Sequence, residues 1–272
     1  MMRELTLCAD DYGLSTGIDV AIDELARRGR LSAISCLANA PAWDADGPHL
    51  ATAPPGVATG LHFNLTEGRP LSAALRERWP VLPTIQACLI GAFRGRLPLA
   101  AIGEELLAQW DAFVGATGRA PDFIDGHQHV HHLPGVRTLV LDWLQRQVNS
   151  PALRSTGRVR GPGFALKRLA IEWTGGRALA RELARQRDIP HNTALLGVYD
   201  FAQADFRVLM RGWLSQLPPV GGLIFCHPGH RSPEAARDPI AAAREREWAY
   251  LDSDAFSADL QTAGVTLARR KP

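Results

Sequence analysis

Four stretches of this chain hold side chains that could do chemistry together. In Ala9-Asp10-Asp11-Tyr12-Gly13 an apolar run ends in two adjacent carboxylates and a glycine turn. His62 interrupts the largely apolar run 57–65. Asp125-Gly126-His127-Gln128-His129-Val130-His131-His132 places four histidines within six residues, a density that is rare outside metal or catalytic sites. His227 stands in Cys226-His227-Pro228-Gly229. Two imidazoles and a carboxylate facing an open position suit a catalytic divalent ion. Such an ion lowers the pKa of water and polarises a carbonyl. A carboxylate kept off the metal can take the water's proton, and a histidine across the site can protonate a leaving amine. Adjacent aspartates allow this division, because at a strand-to-turn bend both can reach one pocket. Spacing does not say which acid turns toward the ion. The histidine cluster is equally open: 127, 129 and 131 share a face if a strand continues, 127 and 131 if a helix begins.

These groups need a scaffold that brings them together. Apolar runs beginning at residue 4 and covering 31–38, 57–65, 123–125, 153–155, 194–198, 223–226 and 265–268 read as strands. Helical patterns fall between them, over 17–28, 41–53, 84–93, 99–114, 134–148, 164–186 with a break near Gly175-Gly176, 206–217, 241–251 and 254–262. Trp110, Trp143 and Trp173 read as helix-packing residues. Alternation of this kind calls for a parallel sheet with helices outside. At 272 residues it predicts a single-domain (β/α) barrel spanning 1–272, of seven to eight parallel strands, irregular or incompletely closed. An open doubly wound sheet is the runner-up. In either, the carboxyl ends of the strands gather on one face, and the candidate residues sit at those ends. The first turn lacks GxGxxG, and its acids would repel a pyrophosphate.

Hydrophobic residues at 46% and charged residues at 21% are ordinary for a globular chain. A net charge of +2 is too small to point to nucleic acid. The short basic end Arg269-Arg270-Lys271 reads as a solvated terminus. Cys8, Cys36, Cys88 and Cys226 form no CxxC pair, which predicts free thiols in a reducing cytoplasm. No secretory signal and no apolar stretch of membrane-spanning length is visible. The expectation is a cytoplasmic protein with no membrane span; a homo-oligomer is compatible with it.

The stretches Ala9-Asp10-Asp11-Tyr12-Gly13-Leu14-Ser15, Gly60-Leu61-His62-Phe63-Asn64-Leu65-Thr66-Glu67-Gly68, Asp125-Gly126-His127-Gln128-His129-Val130-His131 and Cys226-His227-Pro228-Gly229 together resemble the YdjC-like carbohydrate deacetylases. That family includes chitooligosaccharide deacetylases and members associated with hopanoid biosynthesis. The resemblance implies a β/α barrel that removes acetyl from an N-acetylated sugar with one divalent metal ion. It implies Asp11, His62 and His127 as ligands, Asp10 as general base and His227 as general acid. Gln128 stands where many members carry a histidine. Arg154, His129 and His131 are candidates for touching substrate, and Arg154 also for orienting the base. A His₂Asp set suits Zn, while an open carboxylate-and-water site also takes Mg or Mn. The resemblance implies an N-acetylated sugar, free or lipid-linked, as substrate. The competing readings are a metal-dependent phosphoesterase or glycosidase-like hydrolase, and a catalytically silent sugar-binding barrel.

Overall fold

The computed structural model describes residues 2–186, 188–233 and 238–269; Arg270 and Lys271 of the basic end lie outside them. The strands are β1 (Arg3–Tyr12), β2 (Ala33–Cys36), β3 (Ala58–Phe63), β4 (Phe123–Gly126), β5 (Ala152–Leu153), β6 (Ala194–Leu196), β7 (Gly222–Cys226) and β8 (Val265–Leu267). The helices are α1 (Thr16–Arg27), α2 (Trp43–Asp46), α3 (Ala73–Arg78), α4 (Ile85–Phe93), α5 (Leu99–Thr117), α6 (Val136–Gln145), α7 (Ala165–Ile171), α8 (Arg177–Arg185), α9 (Phe206–Ser215), α10 (Ala241–Asp252) and α11 (Asp254–Ala263). The strands pair in parallel in the order β5-β4-β3-β2-β1-β7-β6, and β8 pairs with the first residues of β1. Between β5 and β6 there is no ladder. Isolated bridges, Leu153 with His191 and Val159 with Leu195, connect that side instead. The result is the incompletely closed (β/α) barrel that the alternation predicts, rather than the open doubly wound sheet.

Side chains alternate across a strand, so each strand feeds two cores. Leu5, Leu7 and Ala9 of β1, Ile34 of β2 and Leu61 of β3 pack with helix residues such as Ile22, Ile102, Val140 and Trp213 in the larger cluster. The other parity builds a smaller interior cluster of Cys8, Ala33, Ala58, Phe123, Ala152, Leu195, Leu223 and Phe225. Small residues from several strands leave room there for the two phenylalanines. Gly60 is part of that fit: a Cβ on it would lie 2.4 Å from the ring of Phe123 on the neighbouring strand. Two residues further along, the interior parity turns polar. Cys8 is followed by Asp10, Ala33 by Ser35, Gly60 by His62, Phe123 by Asp125, Ala152 by Arg154 and Phe225 by His227. An apolar interior thus ends in a buried polar layer at the carboxyl ends of the strands.

Asp11 has the wrong parity for that layer. Its φ of 74° and the irregular pairing of β1 with β2 between Ala9 and Tyr12 turn it inward all the same. Aspartate is one of the few residues that accept this conformation at moderate cost.

Two expectations need correction. Residues 41–53 do not form one helix: α2 ends at Asp46 and a 3₁₀ turn follows over Gly47–Thr52. Pro48 has no N–H to continue the ladder, and Gly47 lies so close to the Trp43 ring that a Cβ would approach it to 2.9 Å. Trp173 is not a packing residue either. It is 68% exposed, with the Arg177 guanidinium 4.8 Å above its ring. It sits in the π turn Glu172–Gly176, which provides the break expected near Gly175-Gly176. Trp110 and Trp143 do pack together, edge to face at 4.6 Å.

Candidate active site

Asp11, His62 and His127 converge at the top of the barrel, their nearest ligand atoms within 4.8 Å of one another. Asp11 Oδ1 lies 3.1 Å from His127 Nδ1 and 3.5 Å from His62 Nε2. Each imidazole is held on its far side by another acid: His62 Nδ1 is 2.6 Å from Asp125 Oδ1, and His127 Nε2 is 3.0 Å from Glu67 Oε2. Ser35 also reaches Asp125 Oδ1, at 2.6 Å. Carboxylates accept and do not donate, so His127 donates from both nitrogens and His62 from Nδ1, with its Nε2 turned toward Asp11 at a longer distance. Burial disfavours the charged imidazole, but the Asp125 and Asp10 carboxylates and the hydrogen bonds to Asp11 and Asp125 push His62 up to about 10. His127 is likewise raised: burial opposes it, and the hydrogen bonds to Asp11 and Glu67 prevail. Burial would raise the Asp11 carboxyl, yet the Arg244 guanidinium and the two histidines hold it well below the usual carboxylate range.

This donor set fits a divalent ion. One dication replacing one proton from each imidazole leaves the local charge unchanged, and the carboxylate behind each ring is the outer partner that metal-bound histidines usually have. The second group of close ligand atoms, Cys8, Asp10 and Asp125, does not fit, because the Arg154 guanidinium already fills it. Arg154 Nη1 and Nη2 donate to the two oxygens of Asp10 at 2.6 and 2.7 Å, and Nη2 is 2.6 Å from Asp125 Oδ2. Arg154 therefore supports Asp10 from below; it is 2% exposed and does not line the cavity above.

That cavity, of about 760 Å³, is lined by Asp10, Asp11, His62, His127, His129 and His227, and its apolar lining includes Ile85 and Leu89 of α4, Ala170 and Ile171 of α7, Phe201 and Phe225. The size suits a small-molecule ligand. His227 follows the end of β7; its ring meets Phe201 and Phe225 edge-on at 5.3 and 5.5 Å. Its Nδ1 has no partner, and its backbone N–H donates to Glu247 Oε2 at 2.6 Å. Burial pulls the imidazole down to about 4, against the Asp11 and Asp10 carboxylates. Glu247 is buried too and takes a hydrogen bond from the Tyr199 hydroxyl. Its burial pushes it up to about 7.

The histidine cluster is neither strand nor regular helix. Gln128 and His129 adopt φ of 50° and 63°, which breaks both periodicities and gives each ring its own surroundings. His129 lines the cavity. His131 does not: it is fully buried, and its Nε2–H donates to the Arg154 carbonyl at 2.9 Å. His132 is held by the hydroxyls of Thr156 and Thr174, at 2.8 and 3.1 Å. His230, which has no evident partner in the sequence, pairs with Glu24 at 2.8 Å.

Sequence reasoning missed Arg244 on α10. Its Nη2 donates to Asp11 Oδ2 at 2.8 Å and its Nε to Asp238 at 2.6 Å, so a buried cation fixes the second oxygen of Asp11. Glu247, one turn on, was missed as well. Both sit in the run Ala-Ala-Ala-Arg-Glu-Arg-Glu-Trp, which reads as a solvated helix; the only hint is the three-residue spacing that puts them on one face.

Residues 4–262 match the family model described as YdjC-like protein. The chain belongs to the YdjC-like family. Among the relatives of this YdjC-like chain, the chitooligosaccharide deacetylase of Escherichia fergusonii is 36% identical over 153 residues, 54% of this chain and 58% of that one. The carbohydrate deacetylase of Mus musculus is 37% identical over 164 residues, 56% of this chain and 52% of that one. The chain thus spans about half the length of the curated relatives it matches. A crystal structure of an Enterococcus faecalis V583 protein, provisionally described as a cellobiose-phosphate cleavage protein, superposes with a TM-score of 0.75 over 98% of this chain and 97% of that one. At 21% identity this likeness shows that the fold is shared.

The buried charges give the site a marked pH dependence. Asp11 and Asp125 are depressed, so their contribution to stability is present above the ordinary carboxylate value of 3.8 and lost as pH falls through their lower folded values. His62 is raised, so its contribution is present below 6.5 and lost as pH climbs toward about 10. His131 and His227 are lowered to about 4, so their contribution is lost as pH falls from 6.5, and after chelation urea unfolding midpoints should fall both on acidification below 6.5 and as pH climbs toward about 10. Divalent metal should restore stability most on the alkaline side, where no proton competes for the imidazoles.

Proposed function

We propose that this protein is a metal-dependent carbohydrate N-deacetylase that hydrolyses the acetamide of an N-acetylated sugar. The observation that carries this reading is the meeting, in one cavity, of an Asp11-His62-His127 donor set, a separately anchored Asp10 and an unpartnered His227. The deacetylase names of the half-length relatives support it. Asp11, His62 and His127 would hold one divalent ion, Zn or Mg by the character of the donors. Bound there, the ion would supply a Lewis acid for the acetamide carbonyl and acidify water.

The remaining chemistry belongs to the chain. Arg154 fixes the plane of Asp10, and each carboxylate oxygen keeps a lone pair with which to take a proton from the attacking water. His227 lines the same cavity, and its imidazole is the group placed to pass a proton to the departing sugar amine. Burial favours its neutral imidazole at neutral pH. Negative charge developing on the substrate beside it raises its proton affinity, so that the imidazole takes up a proton from solvent and then transfers it to the amine as the C–N bond breaks. Arg244 keeps Asp11 ionised and oriented.

His227→Ala should lower kcat by about 10²–10⁴-fold, an ordinary general acid–base loss, with little change in metal content. Loss of metal from that variant would make His227 a ligand instead. The reading as a whole is tested by acetate release from a panel of N-acetylglucosamine oligosaccharides and glycolipids. No release from any of them would refute it. All four cysteines are unpaired and buried, which fits a reducing cytoplasm. Among the described residues no helix is long and apolar enough to cross a membrane.

A further inference from the structure

We propose that the rim of the cavity docks on an anionic lipid surface. Two helices form that rim. On α4, Ile85 and Leu89 line the cavity, and Phe93, four residues on from Leu89, continues the stripe outward with 61% exposure. On the other side Lys167, Ala170, Ile171 and Thr174 line the cavity. Leu166, Leu169 and Trp173, at helical spacing on the adjacent stripe, face outward at 70%, 48% and 68% exposure. Phe164 and Ile90 add to the exposed apolar surface. Apolar contact surface thus runs from inside the cavity out onto the rim, where a soluble protein rarely leaves large apolar side chains clustered.

The charge around these side chains selects the partner. Segment 80–99 carries Arg94 and Arg96, segment 158–171 carries Arg158, Arg160, Lys167 and Arg168, and neither contains an acid. Among the described residues no ion pair engages Arg94, Arg96, Arg158 or Arg160, while Lys167 turns inward, donating to the Tyr199 carbonyl at 3.3 Å and lying over the Phe201 ring. Two nearby acids already have cationic partners, Glu172 in Arg177 and Glu67 in His127, and Asp200 acts on Lys167. Exposed Leu, Phe and Trp flanked by unpaired Arg is the composition of a surface that inserts shallowly into an anionic bilayer. Docked this way, the cavity mouth opens toward the membrane, and a sugar carried on a lipid could enter without leaving it.

Vesicle binding is read without acetate release, so its failure is distinct from failure of the deacetylase reading. The protein should co-sediment with phosphatidylcholine vesicles that contain phosphatidylglycerol and not with phosphatidylcholine alone, and raised salt should release it. L166E combined with W173E should weaken binding by at least about tenfold, since it removes inserted apolar area and adds repelling charge. Both positions are exposed and off the cavity wall, so unfolding midpoints should stay at the wild-type value. Absence of binding to anionic vesicles would overturn the proposal. So would a concentration-dependent dimer, abolished by the same pair of substitutions, in a protein that ignores vesicles.

Discussion

Asp11→Asn should eliminate turnover and metal uptake while leaving the fold in place. Asparagine keeps the shape and tolerates the left-handed φ of 74° at this position. Arg244 keeps its other partner, Asp238, so no buried guanidinium is stranded. What disappears is the one carboxylate oxygen on which His62 Nε2 and His127 Nδ1 both converge. The loss should exceed the roughly 10–100-fold that removing an outer partner of a metal ligand costs. Asp125→Asn, which removes the acid behind His62, supplies that comparison. Elemental analysis of the purified variants and kcat/KM for acetate release check both. Full metal content and activity in Asp11→Asn would take Asp11 out of the ligand set and exchange its role with that of Asp10.

The second large effect is on stability. Arg154→Met should destabilise the protein by about 3–5 kcal/mol, because it leaves Asp10 and Asp125 ionised in the interior without their shared cation. Against a typical total of about 5–15 kcal/mol this is a large fraction. Arg154→Lys should recover part of the stability but little of the activity, since a point charge cannot hold both oxygens of Asp10 in one plane. Adding Asp10→Asn to Arg154→Met should restore stability without restoring turnover. Urea unfolding at neutral pH reads the first two effects, and the double variant separates a structural role for the pair from a catalytic one. An Arg154→Met protein as stable as wild type would contradict the buried network.

The two cases show where the sequence was legible. Each of β1, β3, β4 and β7 announces itself by an apolar run that stops at a charged or imidazole side chain, and the period of two carries that side chain into the barrel mouth. The parallel alternation fixed which end of the sheet to search. Asp11 was visible as a candidate, but its inward turn depends on a positive φ that no pattern of residue types reports. Arg154 was visible as a cation at a strand end; its bidentate grip on Asp10 needed the register of β1 and β5 across the barrel. Arg244 and Glu247 were hidden because a buried charge on an outer helix looks, in sequence, like a solvated one. The histidine cluster misled by density: left-handed turns at Gln128 and His129 give each ring its own surroundings, so that His127, His129 and His132 reach the cavity, His132 held there by two threonines, while His131 is tied to the Arg154 carbonyl. Apolar periodicity also ran the 41–53 helix past Pro48, where hydrogen bonding cannot continue.

The central claim is that one divalent ion, held by Asp11, His62 and His127, drives deacetylation. Its most direct test is titration of Zn or Mg into chelated protein while acetate release from an N-acetylated sugar is recorded. Activity should be absent after chelation, rise in proportion to added metal and level off at one equivalent. Full activity in the chelated protein would contradict the account, and so would a plateau only at two equivalents, which would favour a two-metal phosphoesterase-like centre.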